Sequence, residues 1–192
     1  PHQQMFERYV GDDVAYGPRQ LGLSREEVRE RVRWAMEEVG LPFESFVDRF
    51  TFSLSGGEMR RAAMAGVLAM HPELLVLDEA TTGLDPQGRR QVHALLRRLR
   101  DQSGLTILLV SNDMDEVAEI AEDVTVLHQG NTVMSGSARQ VLTQRGALRG
   151  AGLRAPSVVE MIEALRERNP ILEGGLVTVE EAEEAIWRSM NR

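Results

Sequence analysis

Two short stretches hold the residues whose types and spacing could do chemistry. Leu54-Ser55-Gly56-Gly57-Glu58 sets a hydroxyl, two glycines and a glutamate ahead of an apolar segment. Leu74-Leu75-Val76-Leu77 runs straight into the paired carboxylates Asp78 and Glu79. Ser55 with Glu58 fits a capping box, the reciprocal arrangement that satisfies two orphan amides at a helix start, and the same pattern recurs at Ser24/Glu27, Ser157/Glu160 and Thr178/Glu181. On those two residues alone, an ordinary helix start and a ligand site are equally good readings. The glycines tip the balance: each costs roughly 1 kcal/mol relative to alanine within a helix, and a first turn without side chains lets an anion approach bare N–H groups. Asp78 and Glu79 close an apolar strand at the edge where α/β proteins gather their ligands, although an acidic pair there also serves as a plain cap or surface turn. Asp85, before Pro86, reads as a helix N-cap.

The elements that must position these residues follow from periodicity and punctuation. Val28, Val32, Ala35, Met36 and Val39 recur at helical spacing behind Ser24 and ahead of Gly40-Leu41-Pro42, so a helix is expected over 24–39. A second helix begins near Ser55 and runs to Met70, where His71-Pro72 breaks it. Leu74 to Leu77 and Leu105 to Val110 are short continuous apolar runs, as expected of strands buried on both faces of a parallel sheet. Between them, Pro86 opens a helix with Val92, Leu95, Leu96 and Leu99 on one face, closed by Ser103-Gly104. A short helix over 114–122 returns the chain to a strand at 124–127. The turn Gln129-Gly130-Asn131 then leads into a hairpin partner at 132–135. The strand-helix-strand alternation gives an α/β layer architecture with parallel pairing. Past Gln144 the glycines Gly146, Gly150 and Gly152 and then Pro156 mark a boundary before two more helices. The first is opened by Ser157 and buries Val158, Ile162 and Leu165; the second is opened by Thr178 and buries Val179, Ala182 and Ile186. Two helices bury little surface alone, so this tail should dock on the main body or on another subunit.

Bulk composition narrows the function classes. The 192 residues, 42% hydrophobic and 27% charged, suit one globular domain or a domain with an appendage. A formal charge of -8 argues against a nucleic-acid partner, and the pairs Arg60-Arg61 and Arg97-Arg98 read as solvated helix faces. Without cysteine there are no disulfides, thiolate metal sites or cysteine nucleophiles. No apolar run approaches the roughly 20 residues needed to span a bilayer as a helix. His2, His71, His93 and His128 have no metal-ligand spacing. The chain opens at Pro1 without a signal-like segment, which favours truncation over secretion.

Leu54 to Glu58 is similar to the signature motif of ATP-binding cassette (ABC) proteins, Leu74 to Glu79 resembles their Walker B sequence, and Thr81-Thr82-Gly83-Leu84-Asp85 resembles their D-loop. The resemblance implies a partial P-loop NTPase fold of the ABC ATPase type: α/β, with a parallel sheet core, a helical subdomain and a small C-terminal helical extension. Its divisions are 1–70 for the remainder of the glutamine-loop region, the helical subdomain and the signature helix, 71–143 for the α/β core and 144–192 for the extension. ATP and Mg²⁺ are the implied ligands. Asp78 would hold Mg²⁺ through water, and Glu79 would polarise the water attacking the γ-phosphate. Ser55, Gly56, Gly57 and Glu58 would serve the ATP of a partner chain, and Asp85 would act across the same interface. Ala80 stands where the family most often has proline. Asn112 stands where the family has a histidine that contacts the γ-phosphate. Its amide can donate a hydrogen bond but cannot carry positive charge, which places hydrolysis at that site in question.

Asp13-Val14-Ala15-Tyr16-Gly17-Pro18, Leu21-Gly22-Leu23-Ser24, the opening Pro1 to Phe6 and the tail around Gly152-Leu153, Pro156 and Leu176-Val177-Thr178 look like the energy-coupling factor and cobalt/nickel importer branch. That branch implies a peripheral subunit on the cytoplasmic face of a prokaryotic membrane. Its partners would be a second ABC ATPase subunit, a transmembrane coupling subunit and a membrane-embedded substrate-binding subunit, serving uptake of a vitamin or metal ion. The alternatives are a non-catalytic subunit that completes a partner's ATP site, and a soluble ABC protein of translation or DNA repair. No Gly-Lys-Ser/Thr phosphate loop occurs in the sequence, so these 192 residues alone are expected to turn over no ATP.

Overall fold

The computed structural model describes residues 5–170 and 172–190; the Pro1-His2-Gln3-Gln4 part of the importer-like match, and His2, lie outside them. The element order is α1 (Val10–Gln20), α2 (Arg25–Glu38), α3 (Phe43–Phe46), α4 (Gly56–Leu68), β1 (Leu74–Asp78), α5 (Pro86–Ser103), β2 (Thr106–Val110), α6 (Met114–Ile120), β3 (Asp123–His128), β4 (Asn131–Ser137), α7 (Ala138–Leu142), α8 (Arg145–Gly150), α9 (Ser157–Arg166) and α10 (Val179–Met190). The chain divides into two compact units, Pro1–Val76 with Thr81–Leu108, and Leu77–Ala80 with Leu109–Arg192.

In the first unit, α1, α2 and α4 pack on one another through Val10, Val14, Val28, Val32, Ala35, Met36, Ala62, Ala65 and Leu68. Local signals set the ends of these helices. Ser24 accepts a bond from the Glu27 N–H while Glu27 reaches back to the Ser24 N–H, the expected capping box. At the far end of α5, Gly104 sits at φ 62 in the left-handed region and donates to the Arg100 carbonyl, while the Leu105 N–H donates to the Leu99 carbonyl, the terminator that its glycine announced.

β1 and β2 pair with each other, and both partners advance together along the chain: Thr106 N–H donates to the Glu73 carbonyl at one end and Glu79 N–H to the Val110 carbonyl at the other, so the strands are parallel with α5 as crossover. The expectation that both strands are buried on both faces is corrected. Leu75 and Leu77 are buried, but Leu74, Val76, Leu108 and Val110 are about half exposed, at 51%, 56%, 53% and 49%. The cause is that this sheet has two strands among the described residues, and a continuous apolar run reports strand propensity without guaranteeing a layer on either side.

β3 does not extend the parallel pair. It bonds antiparallel to β4 in a separate sheet, with Val126 opposite Met134 and His128 opposite Asn131. Gln129 and Gly130 between them have φ of 49 and 77, the double left-handed conformation of a tight hairpin turn. In the second unit, Met114, Val117 and Ala118 of α6, Val126 of β3, Val141 and Leu142 of α7, Leu148 of α8 and Val159 of α9 share one apolar core. The tail thus docks on its own unit, as expected of helices that cannot bury enough surface alone. A smaller core joins α9 to α10 through Val158, Ile162, Leu172, Leu176, Ala182 and Ala185.

Two details of that tail differ from expectation. Ser157 is not the cap of α9: Pro156 holds that position, Ser157 donates to Asp115, and Glu160 is engaged by Arg145 and Arg149. Those longer-range ion pairs outcompete the local box. Leu165 and Val179 are exposed at 39% and 65%, because the α9–α10 contact turns on the small residues Ala182 and Ala185 instead.

Candidate functional site

In the first unit, the start of α4 is built as its sequence requires. Ser55 is extended at φ -64, ψ 161; its Oγ accepts from the Glu58 N–H at 3.3 Å, and Glu58 Oε2 accepts from the Ser55 N–H at 2.7 Å. Arg49 also donates to Glu58, at 3.0 Å. The Ser55 N–H holds the Glu58 carboxyl below the usual carboxylate range, with the Ser55 hydroxyl and Arg49 adding to the effect against the cost of burial. Glu58 is therefore committed to the helix start. The box satisfies the amide of Glu58 and leaves those of Gly56 and Gly57 without a partner among the described residues. A Cβ added at Gly56 would meet no atom within 4 Å, and one at Gly57 would come 3.7 Å from an Arg61 nitrogen, so the space beside both α-carbons is open.

That space is a pocket of about 550 Å³ bounded by Ser55, Gly56, Gly57, Arg60, Arg61 and the segment Thr82 to Asp85, with Gln87, Gly88 and Gln91 of α5. Asp85 caps α5 by accepting from the Gly88 N–H at 2.7 Å, with Pro86 in the first turn. The pocket thus receives the starts of two helices. Arg60 and Arg61, read from sequence as a solvated face, are half-buried in its wall. Arg60 donates to the Thr82 carbonyl at 2.8 Å and Arg61 to Gln91 Oε1 at 3.4 Å, while the buried Nε of Arg61 has no partner among the described residues. The signal was present in the sequence: Arg60 and Arg61 stand four residues after Gly56 and Gly57, one helical turn away on the same faces. Two bare amides and two guanidinium groups against one carboxylate make a pocket suited to a polyanion.

In the second unit, Asp78 ends β1 exposed and Glu79 follows it, half-buried. Glu79 has φ 51, a left-handed conformation uncommon for a residue with a side chain, and its N–H is fixed to the Val110 carbonyl at 3.0 Å. This bond places Glu79 beside the end of β2, whose next residues are Ser111 and Asn112. Asn112 is exposed within a tightly bonded turn: Ser111 Oγ accepts from the Asp113 N–H at 3.1 Å and donates to the buried Glu116 carboxylate at 2.6 Å. Asp113 in turn caps α6 through the N–H groups of Asp115 and Glu116. Asp78, Glu79 and Asn112 therefore share the C-terminal ends of two neighbouring parallel strands, where an α/β sheet presents side chains to a ligand. Among the described residues no three His, Cys, Asp or Glu side chains gather into a metal cage. Two carboxylates suffice for Mg²⁺, which keeps several waters and takes its remaining oxygens from phosphate.

A family model described as "ABC transporter" matches residues 1–82. The energy-coupling factor transporter ATP-binding protein EcfA2 of Clostridium perfringens (strain 13 / Type A) is 42% identical over 186 residues, 97% of this chain and 65% of its own length. Its counterpart in Symbiobacterium thermophilum is 45% identical over 97% of this chain and 64% of its own length. The chain spans just under two thirds of the curated relatives it matches, as the 65% and 66% coverage of the first two indicates. Among solved structures, cbiO1 from Clostridium perfringens, part of the ABC transporter complex cbiONQ, superposes with a TM-score of 0.69 at 34% identity, over 85% of this chain and 64% of that one. A bacterial ABC transporter cassette solved as a dimer gives 0.61 at 25% identity, over 71% and 60%.

Proposed function

Because this chain belongs to the ABC transporter ATPase family, with energy-coupling factor ATP-binding proteins among its relatives, we propose that it is the signature-bearing and Walker B portion of an importer ATPase subunit. The observation that carries this reading is the pocket at the start of α4, where the free amides of Gly56 and Gly57 meet Arg60 and Arg61. It suits the γ-phosphate of ATP held mainly by a second ATPase subunit, with Ser55 adding a hydroxyl and Asp85 bordering the same space. Mg²⁺, when bound, neutralises phosphate charge, and Asp78 is the residue that would hold it through water. Glu79 accepts a proton from the attacking water, and its fixed backbone keeps that carboxylate at the strand end. Asn112 donates an amide hydrogen bond toward the phosphate without supplying charge.

Turnover in such a subunit drives uptake of a small nutrient, vitamin or metal ion, through a transmembrane coupling subunit and a membrane-embedded substrate-binding subunit. The subunit itself sits on the cytoplasmic face as a peripheral protein. No helix among the described residues is long and apolar enough to cross a membrane, which is compatible with that role. The division into helical subdomain with signature helix (1–70), α/β core (71–143) and helical extension (144–192) is part of the same proposal. The chain holds no lysine and no phosphate-loop sequence, so these residues alone bind nucleotide weakly and turn none over.

Asn112 favours a second reading, a non-catalytic subunit that completes its partner's site. Steady-state turnover in the protein with a complete nucleotide site decides between them. A rate abolished by Glu79→Gln and unchanged by Asn112→His supports a working site with asparagine as substitute. A rate insensitive to Glu79→Gln, with partner turnover lost on Gly57→Val, supports the completing role.

A further inference from the structure

The turn that carries Asn112 is wired to a helix whose first residue lies 42 positions after Asp115. Asp115, in the first turn of α6, uses both carboxylate oxygens on Ser157: Oδ1 accepts the Ser157 N–H at 2.6 Å and Oδ2 accepts its hydroxyl at 2.7 Å. Ser157 opens α9, whose cap residue Pro156 offers no side-chain bond, so Asp115 supplies from another helix the negative charge and the acceptor that the start of α9 lacks. At its other end, the Asp115 N–H is donated to Asp113 Oδ1, and Asp113 is tied through its own N–H to Ser111. Ser111 bonds the buried Glu116, so Asn112 lies between two residues whose positions are set by this network. α6 and α9 also share the apolar core of the second unit, through Met114, Val117 and Val159.

We propose that the Asp115–Ser157 pair is a latch through which the C-terminal helices set the position of Asn112, and that Ser157 is a positioning residue for the hydrolytic step. The functional half rests on the reading of Asn112 as the residue that faces the γ-phosphate; the latch itself does not. A cap that served α9 alone would loosen only α9 when removed. A latch loosens the remote turn as well.

Amide hydrogen exchange on the 192-residue chain separates these cases. In Ser157→Ala, exchange across 111–117 is expected to rise roughly three- to tenfold, as expected for loss of one charge-assisted capping contact, and Ser157→Thr, which keeps a hydroxyl, restores it. Ile162→Val weakens α9 on its other face without touching the bonds, and is expected to leave 111–117 unchanged. Faster exchange confined to 157–162 in Ser157→Ala overturns the latch, and so does an equal rise at 111–117 in Ile162→Val. With a complete nucleotide site, Ser157→Ala lowers kcat at unchanged KM; an unchanged kcat overturns the positioning role. Absence of turnover in the parent and the variant alike overturns the hydrolytic role given to Ser157, while the exchange result still decides the latch.

Discussion

Glu58 has the side chain of a ligand-site motif and the bonds of a helix cap. Its carboxyl is held below the usual range by the Ser55 N–H first, then by the Ser55 hydroxyl and Arg49. The unfolded chain takes up that proton at higher pH than the folded one, so the stabilisation is complete above the ordinary glutamate value and is lost as pH falls through the lowered folded value. Glu58→Gln should therefore lower the urea midpoint near pH 7, and the gap from the parent should close as pH falls below the ordinary glutamate range. Ser55→Ala should cost about 1 kcal/mol in the same assay. His71 titrates with the opposite charge change. Burial first, then the neighbouring Arg31, holds its pKa below the usual histidine range, and its ring packs edge-on to Trp34 at 4.7 Å. The unfolded histidine protonates first, so stability falls as pH drops below about 6.5, down to the folded value. His71→Gln should flatten that limb, read from Trp34 fluorescence during urea unfolding at pH 7, 6 and 5. The arginines of the pocket teach a related lesson. Their charge was plain in the sequence, but their place beside Gly56 and Gly57 emerges only when helical spacing is combined with the return of Thr82 and Asp85 to the same wall.

At the scale of elements, what was legible is what local chemistry decides. The boxes at Ser24 and Ser55, the Asp85-Pro86 start, the Gly104 stop and the Gln129-Gly130 turn all stand where expected, because each is fixed by residues within one turn of chain. Ser157 was misread for the converse reason. Its pattern with Glu160 is identical in type, but Asp115, Arg145 and Arg149 come from distant segments, and no window of sequence weighs them against the local option. Gly104→Ala should lower stability by about 1 kcal/mol in thermal unfolding, since alanine at φ 62 bears a steric penalty that glycine avoids. Substituting the exposed Ala94 of α5 by Gly should cost a similar amount through chain entropy alone, which makes it a control for the direction of the effect.

At the scale of the whole molecule, fold class was legible because the α/β alternation survives in both composition and order, but the extent of each layer was not. Leu74, Val76 and Leu108 leave an aliphatic strip open on the first unit. Val76→Thr with Leu108→Thr should reduce binding of a hydrophobic dye and self-association of this chain, with a stability change within about 0.5 kcal/mol, because the side chains are half in water already. The left-handed Glu79 points in another direction. Holding a residue that carries a Cβ there costs on the order of 1 kcal/mol, which glycine would recover. A laboratory population selected only for thermal survival would therefore drift toward Glu79→Gly, and a population selected for the activity proposed for the carboxylate would not. Which residue persists at that position under each regime would record, in the sequence itself, whether the strand end is kept for its shape or for its carboxylate.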